Sequence, residues 1–286
     1  MHPLTDITNF PGTVNELERL LNFQLFHGQM SCTGGRIHLA GTLRKKEPLF
    51  EQLNLIIHYH NTTQHEFRQY GLARLAMLIL DLQSIERNDG RLMKHFQRLF
   101  KRCTGNTYWG LRFEIDLAAT LVKKALPFDK GEFLPGGDAR NADFVLNPLA
   151  IECAGVHVDK LRFTTFLHKV QGVLVEKSLK PYCARTVALF IDITNLLHHR
   201  VLLELPFDEQ GFRDSVRVLN HRTGFGSVVL SLWLFNKSTA EVRYQNLFIR
   251  EDHPNIDPRL KKFLTEDFGL DGSGDPIYRL KPLGSY

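Results

Sequence analysis

Residues 141–155 read NADFVLNPLAIECAG, and this stretch decides which fold we expect for the chain. It predicts two short strands joined by Asn147-Pro148. Each strand carries one carboxylate among apolar neighbours, Asp143 near the start of the first and Glu152 near the end of the second. Burying a carboxylate without a partner costs several kcal/mol, which is comparable to the net stability of a domain. We therefore expect that the two acids are solvated at strand ends or that a positive group lies between them.

The segments around this stretch predict a mixed α/β fold with the order helix, three strands, helix, strand, followed by additions. The helices are expected over residues 107–126, from near Asp159 onward and over 206–222, and the further strands over 131–137, 185–195, 225–237 and 241–250. This α/β domain spans residues 105–251. We expect a mainly helical N-terminal region with one hairpin before it (1–104) and an irregular C-terminal tail with a short helix near 258–266 after it (252–286).

The N-terminal region carries clear local signals. Thr13 and Glu16 have the spacing of a capping box, which predicts a helix over residues 13–26. Gly34-Gly35 between QMSCT and RIHLAGTL predicts a two-residue hairpin turn. Helical patterns follow at about 48–59, 64–86 and 90–103.

Composition narrows the class of protein. The chain has 286 residues, of which 43% are hydrophobic and 23% charged, as in globular proteins. We expect a soluble, cytoplasmic protein without a membrane partner, because we find no secretory signal and no apolar run of roughly 20 residues. Its four cysteines form no CxxC pair, which argues against a disulfide framework or a zinc site. The net charge of +5 suits a polyanionic partner.

That positive charge is concentrated in RLMKHFQRLFKR, residues 91–102. At about 100° per residue, one face of this helix is apolar and the other is basic. The basic face consists of Arg91, Lys94, Arg98, Lys101 and Arg102. It could contact the phosphate backbone of a nucleic acid, or it could be the solvated face of an ordinary amphipathic helix.

The two acids of the opening stretch suggest a metal site. Adjacent strands lie about 4.8 Å apart, so Asp143 and Glu152 can bind one hard cation at the end of a sheet. Such a cation prefers oxygen ligands, which explains why no cluster of Cys or His accompanies them. The competing interpretations are a turn carboxylate for Asp143 and a buried ion pair with Arg140 or Lys160 for Glu152.

Over residues 107–195 the chain resembles the PD-(D/E)XK nuclease superfamily, whose core is a helix with a Glu, strands with an Asp and an acid-x-Lys, a helix and a strand. The matching residues are Glu114 in RFEIDLAATL, Asp143 in NADFVLN, Glu152 in AIECAG and Gln171 in KVQGVLVEK. The resemblance implies a restriction-endonuclease-like core and catalytic roles for these residues. It also implies Mg²⁺ or Mn²⁺ held by Asp143, Glu152 and the backbone carbonyl of Cys153, with Glu114 contributing directly or through water.

The chain departs from that pattern at Ala154, where the superfamily has its lysine. Some members supply this group from the following helix. There, Lys160 lies within about 20° of Gln171 on a helical wheel and is the first candidate. Lys177, which projects into an apolar stripe, is the second.

The leading hypothesis is therefore a metal-dependent nuclease, a DNA endonuclease of restriction, defence or mobile-element type. Cutting both strands of a duplex would commonly require two sites and hence a homodimer. Ala154 supports a different class, a nuclease fold without catalysis that serves as a nucleic-acid-binding or protein-binding module. A third hypothesis is a protein-binding subunit with its interface in residues 1–100.

Overall fold

The computed structural model describes residues 6–43, 48–62, 65–156, 165–194, 209–235, 244–270 and 277–280. The chain folds into two compact units. The first is built mainly from residues up to Thr120, and the second from Leu121–Leu234 and Gln245–Lys281. The division falls inside one helix, whereas the sequence predicts it at 104/105, where that helix begins. A continuous helix can belong to two units, so a change of sequence pattern at its start does not locate the division.

The first unit contains five helices and one hairpin within its described residues. They are α1 (Phe10–Leu21), β1 (Phe26–Thr33), β2 (Arg36–Leu43), α2 (Pro48–Asn61), α3 (His65–Asn88), α4 (Gly90–Arg102) and α5 (Gly105–Lys123), which continues into the second unit. The strands pair antiparallel around Gly34-Gly35, whose φ angles of 58° and 72° suit glycine. The predicted hairpin and the helices α2 to α4 are confirmed.

The first helix differs from its prediction. It runs over Phe10–Leu21 and not over 13–26. The Thr13 hydroxyl donates to the carbonyl of Asn9, 3.3 Å away, and the Thr13 side chain is buried inside the first turn. Because Phe10 is fully buried, the helix starts early enough to place this ring in the core. The predicted capping box is therefore wrong.

The second unit is built on a sheet that has seven strands within the described residues. Its elements are β3 (Asp129–Lys130), β4 (Phe144–Val145), β5 (Ala150–Gly155), α6 (Thr165–Ser178), β6 (Val187–Asp192), α7 (Glu209–Asn220), β7 (Ser227–Phe235), β8 (Tyr244–Asp252), α8 (Pro258–Lys262) and β9 (Ile277–Leu280). The strands lie in the order β3 to β9. The pairs β3–β4, β4–β5 and β8–β9 are antiparallel, whereas β5–β6 and β6–β7 are parallel.

The chain is thus a mixed α/β protein, as predicted. The observed order α5, β3, β4, β5, α6, β6 is helix, three strands, helix, strand. The first of these strands, however, lies at Asp129–Lys130 and not at 131–137, where two 3-10 turns follow. The Gly131 amide donates to the carbonyl of Asp143, and a Cβ at Gly131 would lie 2.0 Å from the carbonyl oxygen of Ala142. Position 131 requires a glycine, because a side chain there would meet the neighbouring backbone.

One face of the central strands forms the apolar core of the second unit. Leu189 and Ile191 of β6 are fully buried there, together with Val170 and Leu174 of α6. Glu152 lies beside Leu189 in the parallel register of β5 and β6. Side chains alternate along a strand, and parallel neighbours in register point the same way, so Glu152 points toward this helix-covered face.

The C-terminal residues are more ordered than the predicted irregular tail. Helix α8 continues into a turn of π-helix at Phe263–Asp267, and β9 joins the sheet beside β8. Leu264 is fully buried, and the Phe268 ring lies 5.3 Å from that of Phe190 on β6. These apolar residues recur at helical spacing, so the segment completes the second unit.

None of the helices in the described ranges is long and apolar enough to cross a bilayer. All four cysteines are free thiols, and Cys153 is the buried one among them.

Candidate functional site

Asp143 and Glu152 hold each other in place across two antiparallel strands. Asp143 directly precedes β4, and the register of β4 with β5 places it opposite Glu152. The Asp143 amide donates to Glu152 Oε2 at 3.2 Å. The amide of the next residue on β5, Cys153, donates to Asp143 Oδ2 at 2.7 Å. One oxygen of each carboxylate is therefore fixed by the backbone of the opposite strand.

Two lysines contact the remaining carboxylate oxygens. Lys130 Nζ on β3 lies 3.2 Å from Asp143 Oδ1. Lys177 Nζ, in the last turn of α6, lies 2.5 Å from Glu152 Oε1. Each of the two acids, which the sequence places among apolar neighbours, therefore has an ammonium group beside it. Of these side chains, Lys130 and Glu152 are nearly inaccessible, whereas Asp143 and Lys177 are about one-fifth exposed.

The structure describes one of the two lysine candidates. Lys177, the second candidate, forms the ion pair with Glu152. Lys160, the first candidate, lies outside the described residues. Ala154, two residues beyond Glu152 on the same strand, belongs to the buried apolar cluster. The strand position at which the superfamily carries its lysine is therefore part of the core in this chain.

Sequence reasoning missed Lys130 and Tyr182. Lys130 was overlooked because the strand was expected at 131–137, one residue too late to include it. Tyr182 follows α6 in a stretch without a periodic pattern, yet it forms a side-chain hydrogen bond with Glu152. Burial and the charge of Glu152 raise the pKa of the Tyr182 hydroxyl, so this group stays protonated and donates to the carboxylate.

A second pair of acids lies next to the first. Glu132 and Asp138 lie on the two 3-10 turns after β3, and the charges of Asp138 and Asp143 act on Glu132. Among the described residues, this cluster holds four carboxyl groups against the two ammonium groups of Lys130 and Lys177. Fully ionised, it would carry a surplus of two negative charges.

The electrostatics reflect this surplus. Burial and the neighbouring Asp143 charge raise the pKa of Glu152 to about 7, against the opposing effects of Lys177 and Tyr182. Burial and Asp138 likewise raise the pKa of Glu132 to about 7. Burial lowers the pKa of Lys177, but the charge and hydrogen bond of Glu152 outweigh it and leave that pKa raised. Lys177 is therefore a cation at neutral pH, while Glu152 is close to its midpoint.

The cluster does not fit a metal site with three or more protein side chains as ligands, but it fits a Mg²⁺ site with one or two carboxylate ligands. Within the described ranges, no group of three or more His, Cys, Asp or Glu side chains is placed to hold a metal ion. Mg²⁺, however, is often bound by one or two carboxylates together with water and substrate phosphates. The pair Asp143 and Glu152, with its surplus of negative charge, matches that donor set. The backbone amide of Cys153 contacts Asp143. The resemblance instead implies that the backbone carbonyl of Cys153 is a metal ligand.

Two further residues of the motif are Glu114 and Gln171. Glu114 is half-buried in the part of α5 that belongs to the first unit. Gln171 is half-buried on α6 and makes no hydrogen bond within the described residues. Their catalytic roles stay predictions from the resemblance.

The basic helix has the two faces that the sequence predicts. Leu92, Met93, Phe96 and Phe100 of α4 are buried. The basic residues are all exposed, and they are Arg91, Lys94, Arg98, Lys101 and Arg102. Asp89 caps the helix by accepting from the amides of Arg91 and Leu92.

No protein-family model, no curated protein and no solved structure matches the chain. The resemblance to the nuclease superfamily therefore depends on the motif residues and the order of elements alone.

Proposed function

We propose that this chain is a metal-dependent nuclease that hydrolyses phosphodiester bonds, with a restriction-endonuclease-like core in its second unit. The observation that carries the proposal is the single hydrogen-bonded cluster of Asp143, Glu152 and Lys177. These are the two acids and the ammonium group that the PD-(D/E)XK pattern requires. Here the lysine comes from the helix after the second acid and not from the strand.

The topology around the cluster supports the same function. Strands β3, β4 and β5 form an antiparallel meander, and α6 then leads to β6, which pairs parallel with β5. The first acid lies at the start of the middle strand and the second acid on the last strand of the meander. This is the arrangement that the motif order implies.

Asp143 and Glu152 would hold Mg²⁺ or Mn²⁺ in the active protein. When bound, such a cation polarises the phosphate and lowers the pKa of a bound water. The charge surplus of the cluster favours cation binding, because two carboxylates this close repel each other; burial and this repulsion together raise the pKa of Glu152. Asp143 is the more accessible of the two acids and lies toward solvent, where substrate would approach.

Lys177 contributes the ammonium group. Its side chain is about one-fifth exposed, so the charge reaches the surface while its pairing with Glu152 fixes its position. A cation placed in this way stabilises the negative charge that develops on the phosphate oxygens. Tyr182 acts together with Lys177 to favour the ionised form of Glu152, against its burial.

Lys130 has a different part in this proposal. Its side chain is almost completely buried, it pairs with Asp143, and its ammonium lies 5.3 Å from the centre of the Phe144 ring. A buried ammonium held between a carboxylate and an aromatic face is fixed in place. We assign Lys130 to the positioning of Asp143, not to contact with substrate.

We infer that the substrate is nucleic acid and that DNA is the first polymer to test, with an endonuclease of restriction, defence or mobile-element type as the class that the resemblance implies. The net charge of +5 supports a polyanionic substrate. Cleavage of both strands of a duplex would require two such sites, so we also propose a homodimer for the active form.

One observation favours a second candidate, a nucleic-acid-binding module without catalysis. Each of Asp143 and Glu152 has an ammonium partner, so the fold can keep both acids without a metal ion. Such a module would bind DNA with a salt-dependent affinity and would not cut it.

The experiment that separates the two is nicking of supercoiled plasmid DNA in Mg²⁺ and in Mn²⁺. Asp143→Asn keeps the shape of the side chain and removes its charge. The matched control is Glu266→Gln, which neutralises an exposed acid of the second unit. A nuclease should be inactivated by the first change and unaffected by the second. Wild-type protein that binds DNA but leaves the plasmid intact in both metals would favour the binding module.

A further inference from the structure

The exposed face of α4 carries cations that have no acidic counterpart. Within the described part of the chain, Lys94, Arg98, Lys101 and Arg102 form no ion pair. Some arginines elsewhere do form ion pairs, for example Arg19 with Glu16 and Glu86, Arg217 with Asp214 and Glu251, and Arg259 with Asp257. The positive charge of these four residues is therefore not compensated by acids of the described ranges.

The geometry of this basic face is linear. At about 100° per residue, Arg91, Lys94, Arg98, Lys101 and Arg102 fall within a sector of about 100°. With a rise of about 1.5 Å per residue, they extend over about 16 Å of the helix. Successive phosphates of one DNA strand lie about 3.4 Å apart along the duplex axis, so the row matches a run of about five phosphates.

We propose that the basic face of α4 binds the sugar-phosphate backbone of a nucleic acid. Charge complementarity identifies the partner, because five exposed cations in a row suit a regular polyanion. At its N-terminal end the face includes a shallow concavity lined by Gly90, Arg91, Lys94 and Arg98. A Cβ at Gly90 would meet nothing within 4 Å, so the concavity is open to a phosphate group.

The structure favours a nucleic acid over an anionic membrane. A helix that lies on a membrane inserts its apolar face between the lipids. In α4 that face is used inside the first unit, since Leu92, Phe96 and Phe100 are fully buried. The surface left to a partner is polar and basic, which suits a phosphate backbone in water.

This proposal does not rest on the catalytic site. It concerns residues of the first unit and requires binding, not cleavage. Binding measured in EDTA requires neither a metal ion nor cleavage, and the α4 variant isolates the share due to this face, so a failure of the nuclease proposal and a failure of this one can be distinguished.

The test is fluorescence anisotropy of a labelled 20-base-pair DNA duplex titrated with the full chain in EDTA, at salt concentrations from 50 to 200 mM. The variant is Lys94→Ala combined with Arg98→Ala. Both residues are exposed and alanine favours a helix, so the fold should be retained, which circular dichroism checks. The matched control is Arg222→Ala combined with Lys261→Ala, two exposed cations of the second unit.

Each duplex phosphate contact contributes about −0.9 to the slope of log affinity against log salt. Loss of two contacts should therefore reduce the magnitude of the slope by about 1.8, which corresponds to about 10- to 100-fold weaker binding near 0.1 M salt. The control should bind within about twofold of the wild type. Equal affinity and slope for the α4 variant and the wild type would overturn the proposal, as would binding to vesicles with phosphatidylserine but not to DNA.

Discussion

The carboxylate of Glu152 and the ammonium of Lys177 lie 2.5 Å apart although the residues are 25 positions apart in the chain. Glu152 comes from the middle of β5, and Lys177 from the last turn of α6. The helix returns across the sheet face and brings its final turn back over the strand that precedes it. A lysine on the helix can therefore stand beside the acid when the strand position is taken by Ala154 in the core.

Lys177→Met should reduce plasmid nicking on the order of 10²-fold, because the change removes one electrostatic donor from the site. Lys177→Arg keeps the charge in a different shape and should retain part of the activity. The matched control is Lys169→Met, which alters an exposed lysine of the same helix. Single-turnover nicking rates measure the effect. A Lys177→Met protein that cuts at the wild-type rate would remove Lys177 from the mechanism.

The charge of Glu152 should make stability depend on pH in the absence of metal. Its pKa is raised from 4.5 to about 7, so across that window the unfolded chain releases its proton first and binds fewer protons than the native protein. The free energy of unfolding therefore falls as the pH rises from about 4.5 to 7. Glu132 adds to the same trend.

Glu152→Gln removes one of these two groups. Relative to wild type, the variant should gain stability between pH 4.5 and about 7 and then level off, as measured by urea unfolding in EDTA. Glu266→Gln, at an exposed position, should follow the wild-type curve. A Glu152→Gln curve parallel to that of the wild type would contradict the raised pKa of Glu152, which burial and the Asp143 charge produce.

Lys130→Met should destabilise the second unit by about 1–3 kcal/mol, because it leaves a largely buried carboxylate without its ammonium partner. The effect is smaller than for a fully buried pair, since Asp143 is one-fifth exposed and can be hydrated. Lys262→Met changes a lysine that is 70% exposed and should remain within about 0.5 kcal/mol of wild type. The midpoint of urea unfolding compares the two variants. If they unfold at the same urea concentration, Lys130 does not support the site.

Two glycines of the second unit should respond in opposite ways to alanine. Gly131→Ala places a methyl group 2.0 Å from the carbonyl of Ala142, so the backbone beside Asp143 must shift and both stability and nicking should fall. Gly172→Ala, on α6, meets nothing within 4 Å and should stabilise the helix by up to about 1 kcal/mol. Thermal unfolding checks both. A neutral Gly131→Ala would mean that the turn after β3 does not position the site.

The sequence predicted much of the fold because its signals were local. Alternating or continuous apolar runs gave β6 and β7, Gly34-Gly35 gave the hairpin, and the amphipathic pattern gave α4. The first helix was misplaced because the burial of Phe10 is a tertiary effect that a capping motif does not report. The C-terminal strand was missed because β9 has only four residues and depends on its neighbour in the sheet.

The sequence predicted only part of the candidate site. Asp143 and Glu152 were found because acids inside apolar strands require an explanation. Lys130 and Tyr182 could not be found, since their contacts depend on how the turn after β3 and the loop after α6 pack. The contact between Lys177 and Glu152 depends on the register of α6 against β5, which no local pattern encodes.

The most direct test of the central claim is calorimetric titration of Mg²⁺ and Mn²⁺ into the wild-type protein, Asp143→Asn, Glu152→Gln and the control Glu266→Gln. We predict that the wild type and the control bind the divalent ion, and that each site variant binds it at least about tenfold more weakly, since each loses a carboxylate ligand. A wild-type protein that binds no divalent ion, or an Asp143→Asn protein that binds it as tightly as the wild type, would contradict the proposal that these two carboxylates form the metal site of a nuclease.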